Sequence, residues 1–590
     1  MYLRIALMLV FGSVVSCASP PQEEPSMVNA ADAQLRSLYE SEWDWRQREN
    51  ARQQTDSGDW EPSDRWPEVD EAAQSRRLAY WREALTTLAD IDRSKLSAEE
   101  AINAAVFEQI IETLVSDVEF KAYEAPLNSD TFFWSRLHPR NRGFASYDAY
   151  LRYFDRISDI PRYFADQQQN MRAGMARGYT VPAVSLKGRD GSIEAYLRSG
   201  QDNPFWAPLE SLPPTVTDAQ REELQAMALR LISEQVVPTY QELLDFLREE
   251  YFPAARQTIA ARDLPNGDEF YQAQIRKHTT LALTPEAIYE TGLDEVARIR
   301  RAQEAILKEL EYSGTMEEFF EFLRTDPRFY AKTPDELMGY SSYVAKRMDG
   351  KLAEVLSFLP RRRFSISPVP DEIAPIYTSG RGGLNGCLMN TYNLPARPLY
   401  SIPALTLHEC APGHALQFAI AVEAPGEIPE FRAQNYFSGY GEGWGLYTEW
   451  LGGEIGIYRT PYERFGQLTF EMWRACRLVI DTGLHQFGWS RQRAIDYLTE
   501  HAALSAHDIE TEIDRYISWP AQALSYKLGE IMLREKRTLA EERLGVNFDQ
   551  RYFHDKILSL RSVPLTVLDT ELDAWIAAGG PDPYAGEEIN

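Results

Sequence analysis

Leu405-Thr406-Leu407-His408-Glu409-Cys410-Ala411-Pro412-Gly413-His414-Ala415-Leu416-Gln417 places two histidines around a glutamate in an otherwise apolar helical run. Two converging imidazoles hold Zn²⁺, and a glutamate beside them polarises water. Ligand histidines four residues apart share a helix face, because four steps turn the helix about 400°. His408 and His414 are six apart, about 600°, which leaves a regular helix with its imidazoles roughly 120° out of register. Pro412 cannot donate to the His408 carbonyl, and Gly413 tolerates unusual dihedrals. A bulge at this pair is therefore expected to bring His414 back to the face of His408. The competing reading is a core helix with two incidental histidines, and the sequence downstream has to decide.

A zinc site of this kind needs a third ligand from a later helix and an open fourth position. The stretch Gly439-Tyr440-Gly441-Glu442-Gly443-Trp444-Gly445-Leu446-Tyr447-Thr448-Glu449-Trp450-Leu451 follows, after breaks at Pro425-Gly426 and Pro429 that let the chain turn back. Glu442 and Glu449 lie nearly two turns apart and face one way. Glu442 opens the helix among small residues, where a close approach is possible, and is the expected ligand. Glu449 is expected to anchor an imidazole, or to serve as the alternative ligand. Trp444, Leu446 and Trp450 make this helix apolar almost all round, which argues against a merely solvated acidic face.

His408-Glu409 followed by Pro412-Gly413-His414, Gln417 and Glu442-Gly443-Trp444 resembles the bacterial domain-of-unknown-function family 885. The likeness continues through Arg477 to His485 with Gly488-Trp489-Ser490, through Trp519 to Gly529, and in Phe553-His554-Asp555. Upstream it takes in Tyr271 to Thr280, Leu283-Thr284-Pro285-Glu286 and Gly292-Leu293, so it covers nearly the whole mature chain. The resemblance implies a mostly helical, gluzincin-like metallopeptidase fold and establishes no substrate. Arg561, before Ser562-Val563-Pro564-Leu565, departs from the expected glycine.

The sequence has 590 residues, and 61 basic against 89 acidic side chains give a formal net charge of −28. So acidic a chain offers no surplus to neutralise phosphates, and nucleic acid is excluded as a partner. Arg4 and the apolar run Ile5 to Val15 read as an export signal, too short to span a bilayer. The run ends in Val14-Val15-Ser16-Cys17, which looks like a lipobox with Cys17 acylated. Residues 1–17 are then a lipoprotein signal peptide, 18–30 a disordered tether and 31–360 a helical N-terminal part. Residues 361–590 form a mostly helical C-terminal part carrying the metal site. The protein is expected to face the periplasm from the bacterial cell envelope. Cys387, Cys410 and Cys476 remain, an odd number: no disulfide framework is indicated, and any single bond must leave one thiol over. Cys410 could reach the metal, but a small buried apolar role suits it better.

Apolar residues at three- and four-residue steps predict helices over 31–50, 71–91, 97–118, 147–178 and 217–251, the last kinked at Pro238. Thr284-Pro285-Glu286 starts another, to about Glu311. The fold class is mainly α, with a small β element near the metal: strands at 364–370 and 388–394, separated by a glycine-rich loop. A peptide could add to such a sheet edge, with Asn390 and Tyr392 as candidates for holding its backbone. Six of the 8 histidines lie from His408 onward. Arg477, Asp481 and His485 recur every four residues on one helix face, suited to an oxyanion, a substrate carboxylate or an imidazole. Tyr526 is a candidate phenol donor to an oxyanion, and His554-Asp555 a pair supporting the metal ligands or binding substrate.

These residues together imply an exported zinc peptidase with one Zn²⁺ per chain, held by His408, His414 and Glu442, with Glu409 as general base. Tyr526, His485 or Arg477 would stabilise the oxyanion. A binding lipoprotein with a catalytically silent metal site, and a zinc hydrolase of non-peptide amides, are the alternatives.

Overall fold

The computed structural model describes residues 29–586 apart from 130, 140–142 and 372, so Cys17 and the signal segment lie outside the described residues. Helices dominate, and the sheets of the described residues have only two and three short strands. The fold is mainly α.

Local chemistry accounts for most helix boundaries. Asn29, Asp70 and Ser97 each cap a helix by accepting a backbone N–H, starting Ala30–Glu49, Glu71–Ala89 and Ala98–Glu119. Thr284 does the same for Pro285–Glu309. The single helix expected over 147–178 is instead two, Tyr147–Ser158 and Ile160–Arg177. Pro161 has no N–H to donate and restricts the residue before it, so the chain breaks there. Around Pro238 the expected kink is a widened π-helical turn, Ile232–Val236, between Asp218–Leu231 and Val237–Phe246.

One apolar core runs from Ala31 through Trp81, Phe107, Leu405, Trp444 and Val479 to Trp575, drawing on residues either side of position 360. A second packs Trp134, Phe164, Phe205 and Tyr240 within residues 127–255. Pro285–Glu309 lies along Pro461–His485, and Ser438–Glu454 lies along Ser525–Leu544. The latter pair approach very closely. A Cβ on Gly443 would stand 2.7 Å from the Gly529 backbone, so glycine there permits the close contact of the helices that carry Glu442 and Tyr526.

The three-stranded sheet runs Ser365–Pro368, Gly386–Met389, Gly380–Gly383, parallel across the first pair and antiparallel across the second. The glycine-rich segment read as a loop is thus an edge strand. The strand expected at 388–394 ends at Met389, because Asn390 turns the chain by donating to the carbonyls of Ala374, Tyr377 and Thr378.

Candidate metal centre

The expected bulge within one helix is a full break. Ile402–Glu409 ends, residues 410–413 turn through a cis Ala411–Pro412 bond, and a second helix, His414–Glu423, begins. The Trp444 indole donates to the Pro412 carbonyl at 2.9 Å and the Thr448 hydroxyl to the Leu407 carbonyl at 3.2 Å, tying the turn to Ser438–Glu454. The break achieves the realignment. The two imidazoles lie with centroids 4.9 Å apart and planes at 88°. His408 Nε2 and His414 Nε2 stand 3.4 and 3.3 Å from the same Glu442 oxygen, Oε2. Two ligands about 2.0–2.1 Å from one tetrahedral ion are separated by roughly 3.3–3.4 Å. The spacing of donor atoms therefore fits a small tetrahedral cation, and the set of two imidazoles and a carboxylate suits Zn²⁺.

Each imidazole is oriented from behind. His408 Nδ1–H donates to Glu449 Oε1 at 2.8 Å, and His414 Nδ1–H to Gln417 Oε1 at 3.3 Å, which leaves both Nε2 lone pairs facing Glu442. Gly445 makes room for the His408 ring, since a Cβ there would fall 2.7 Å from His408 Cε1. Burial opposes charge on His408, but the carboxylates of Glu442 and Glu449 outweigh it and push the imidazole up to about 10. Burial likewise opposes ionisation of Glu442, yet His414 and His408 hold it well below the carboxylate range.

Glu409 stands apart from the His408, His414 and Glu442 group. Its Oε2 accepts the Gly382 N–H at 2.5 Å, so the edge strand holds this carboxylate beside the cluster. Tyr526, 8 % exposed, lies nearly parallel to the His408 ring with centroids 6.5 Å apart. Arg477 packs its guanidinium 4.3 Å from the centre of the Tyr526 ring, donates to Tyr516 Oη and to Glu512, and is buried. Those bonds fix the guanidinium against the face of Tyr526, while its buried Nη1 has no hydrogen-bond partner.

Other candidates are engaged elsewhere. The Ala261 N–H donates to His485 Nδ1 while His485 Nε2–H donates to the Tyr516 carbonyl, so neither ring nitrogen is left for substrate. Asp481 accepts from the Tyr271 hydroxyl and the Ala521 N–H. Both fates follow from Pro461–His485 being buried on nearly every side of its second half. Asn390 is spent on its turn, and Tyr392 is 51 % exposed with only its N–H bound, to Asn390 Oδ1. His554 bonds the Tyr447 hydroxyl and the Val355 carbonyl, and packs on the helix that carries Glu442 through Tyr447 and Trp444, the latter 5.7 Å away between ring centres. Asp555 accepts from Ser357 and Phe358. Cys410 is not available to a metal: it is bonded to Cys387, joining the middle strand to the turn after Glu409, and Cys476 remains as a buried thiol. Arg561, with φ of 56°, donates to the carbonyls of Ala421, Ala424, Pro425 and Gly426 and so closes the end of the His414 helix.

Two site residues carry no signal in the sequence. The Tyr436 hydroxyl packs against Gly441, beside Glu442, with 44 % of the residue exposed. Arg515 reaches Tyr526 Oη. Neither belongs to a periodic pattern, because each enters the site from a separate segment.

No curated protein matches the chain. Among solved structures it is similar to "the putative lipoprotein from Colwellia psychrerythraea", at 26% identity and TM-score 0.83 over 93% of this chain and 99% of that one. It is also similar to "a putative lipoprotein of unknown function from Shewanella oneidensis", at 18% identity and TM-score 0.66 over 92% of this chain and 99% of that one, a likeness of fold alone. Residues 52–572 match the model of the family described as "Bacterial protein of unknown function (DUF885)", and with most of its length matched the chain belongs to that family.

Proposed function

We propose that the protein is a zinc-dependent peptidase of gluzincin type. The observation that carries this reading is the pair of Nε2 atoms 3.4 and 3.3 Å from one Glu442 oxygen, with Glu409 held off the cluster by the Gly382 N–H. His408, His414 and Glu442 would hold Zn²⁺, which when bound supplies Lewis acidity and lowers the pKa of a water. Glu409 takes a proton from the attacking water and passes it to the leaving nitrogen. Tyr526 and Tyr436 offer phenols to the oxygen on which charge develops. The edge strand Gly380–Gly383, whose Gly382 N–H is held by Glu409, lies where an extended peptide main chain would run beside the cluster.

Glu409→Gln and His414→Ala together test the reading. Glu409→Gln keeps size and hydrogen bonding, so zinc content should stay near one per chain while turnover on a peptide library falls roughly 10²–10⁴-fold. His414→Ala should lose zinc and turnover together. Full turnover by Glu409→Gln, or loss of its zinc, would show the roles to be misassigned.

The name of the similar Colwellia psychrerythraea structure and the segment Val14-Val15-Ser16-Cys17 support export to the cell envelope with a lipid anchor on Cys17. No helix of the described residues is long and apolar enough to cross a membrane. Release of Cys17→Ser from the membrane fraction is the expected result, and equal retention would refute the anchor.

A further inference from the structure

Arg515, on the helix Ala506–Ser518, reaches the metal centre by two routes. Its Nη2 donates to Gln522 Oε1 at 2.5 Å and lies 3.4 Å from Tyr526 Oη. The Tyr526 ring lies against His408. Gln522 Nε2 donates to Ser438 Oγ at 3.4 Å, at the start of the helix that presents Glu442 one turn later. Arg515 thus stands at the rim of the cluster, with 18% of its side chain exposed.

Its charge is only partly answered. The nearest carboxylate, Glu512, lies 3.4 and 3.5 Å from Nη1, but Glu512 already accepts from Arg477 at 3.0 Å. One carboxylate faces two guanidinia. A third, on Arg474, leans instead toward Glu449 at 3.6 Å. Glu512 is thus divided between Arg477 and Arg515, and no other carboxylate pairs with Arg515 among the described residues. A guanidinium is charged at every working pH, and its planar fork matches a carboxylate.

We propose that Arg515, with Gln522, binds a substrate carboxylate, and that this carboxylate is the free C-terminus of a peptide cut near that end. The proposal rests on the hydrolytic reading above and adds the substrate class: peptides with an unblocked C-terminus. A residue of extended chain spans about 3.3–3.6 Å, so a carboxylate at Arg515 leaves a short segment between it and the bond lying at the cluster.

The test uses zinc-loaded full-length protein and three N-blocked peptides of one sequence. One ends in a free acid, one in an amide, and one in an amide with an internal glutamate near the end. The free acid should be cut near its C-terminus, with kcat/KM roughly 10–100-fold above the amide, mostly through KM. Arg515→Gln should bring that ratio close to one, and Arg515→Lys should retain part of it. Calorimetric titration of the Glu409→Gln protein with the same peptides reads binding without turnover, and should favour the free acid only while Arg515 is present. Equal cutting and binding of acid and amide would overturn the proposal. So would an Arg515→Gln variant that slows both alike, which would make Arg515 an oxyanion or folding group. Preference for the internal glutamate would also overturn it, by moving the site to a side-chain carboxylate. If no peptide is cut but the binding preference persists and depends on Arg515, the carboxylate site stands and the hydrolytic reading fails.

Discussion

Gly445→Ala should separate metal binding from folding. The added methyl carbon would lie 2.7, 2.8 and 3.0 Å from His408 Cε1, Nε2 and Nδ1. Unbonded carbons approach to about 3.5–4.0 Å, so the imidazole has to retreat by roughly 0.8 Å. A zinc ligand tolerates displacement of about 0.2 Å, and loosening even an outer partner of a ligand costs about 10–100-fold in affinity. Zinc affinity is therefore expected to fall at least 100-fold, about 2.7 kcal/mol. Stability of the metal-free protein should change much less. Alanine in place of glycine favours a helix interior by roughly 0.5–1 kcal/mol, which offsets part of an overpacking cost of about 1–3 kcal/mol. Gly453→Ala is the control: it lies in the same helix with nothing within 4 Å of its added carbon. It should keep wild-type zinc affinity and unfold no more easily. Competition against a chromophoric chelator measures the first quantity, and urea unfolding of the metal-free protein the second. Wild-type zinc affinity in Gly445→Ala would refute the placement of His408 as a ligand.

Two further outcomes follow from the geometry. Glu449→Gln should weaken zinc by about 10–100-fold, because it only orients His408, whereas Glu442→Gln should nearly abolish binding by removing a charged ligand; chelator competition that ranks them the other way would exchange their roles. Burial pushes Asp481 up to about 7, against hydrogen bonds from Tyr271 and Ala521. The folded state then keeps a proton that the unfolded chain releases between about pH 4 and 7, so this group makes stability fall as pH rises through that window and leaves it level above. Asp481→Asn keeps the oxygen that accepts both bonds, and should shrink the loss of urea-unfolding stability from pH 5 to pH 8 by about 2–3 kcal/mol. An unchanged pH profile would show that Asp481 is ionised in the fold.

Helical periodicity and capping residues sufficed for most helices, because caps such as Thr284 and breaks such as Pro161 act within one or two turns of chain. The candidate ligands were legible for the same reason: His408, Glu409, His414 and Glu442 sit in short stretches whose spacing carries the chemistry. The six-residue gap required a departure from regular helix, though not its form, since a bulge and a complete break realign the imidazoles equally well. Only the tertiary structure decided between Glu442 and Glu449 as neighbour of both Nε2 atoms, because helix phase alone puts both carboxylates on one face. It alone paired Cys387 with Cys410 and turned a glycine run into the strand that holds Glu409. Arg477, Asp481 and His485 mark the limit of periodicity. Their spacing places them on a common face, but what that face meets is set by the helices packed over it, and those contacts are distant in the chain. Tyr436 and Arg515 reach the centre the same way, each delivered by the packing of its own segment, so no local pattern could announce them.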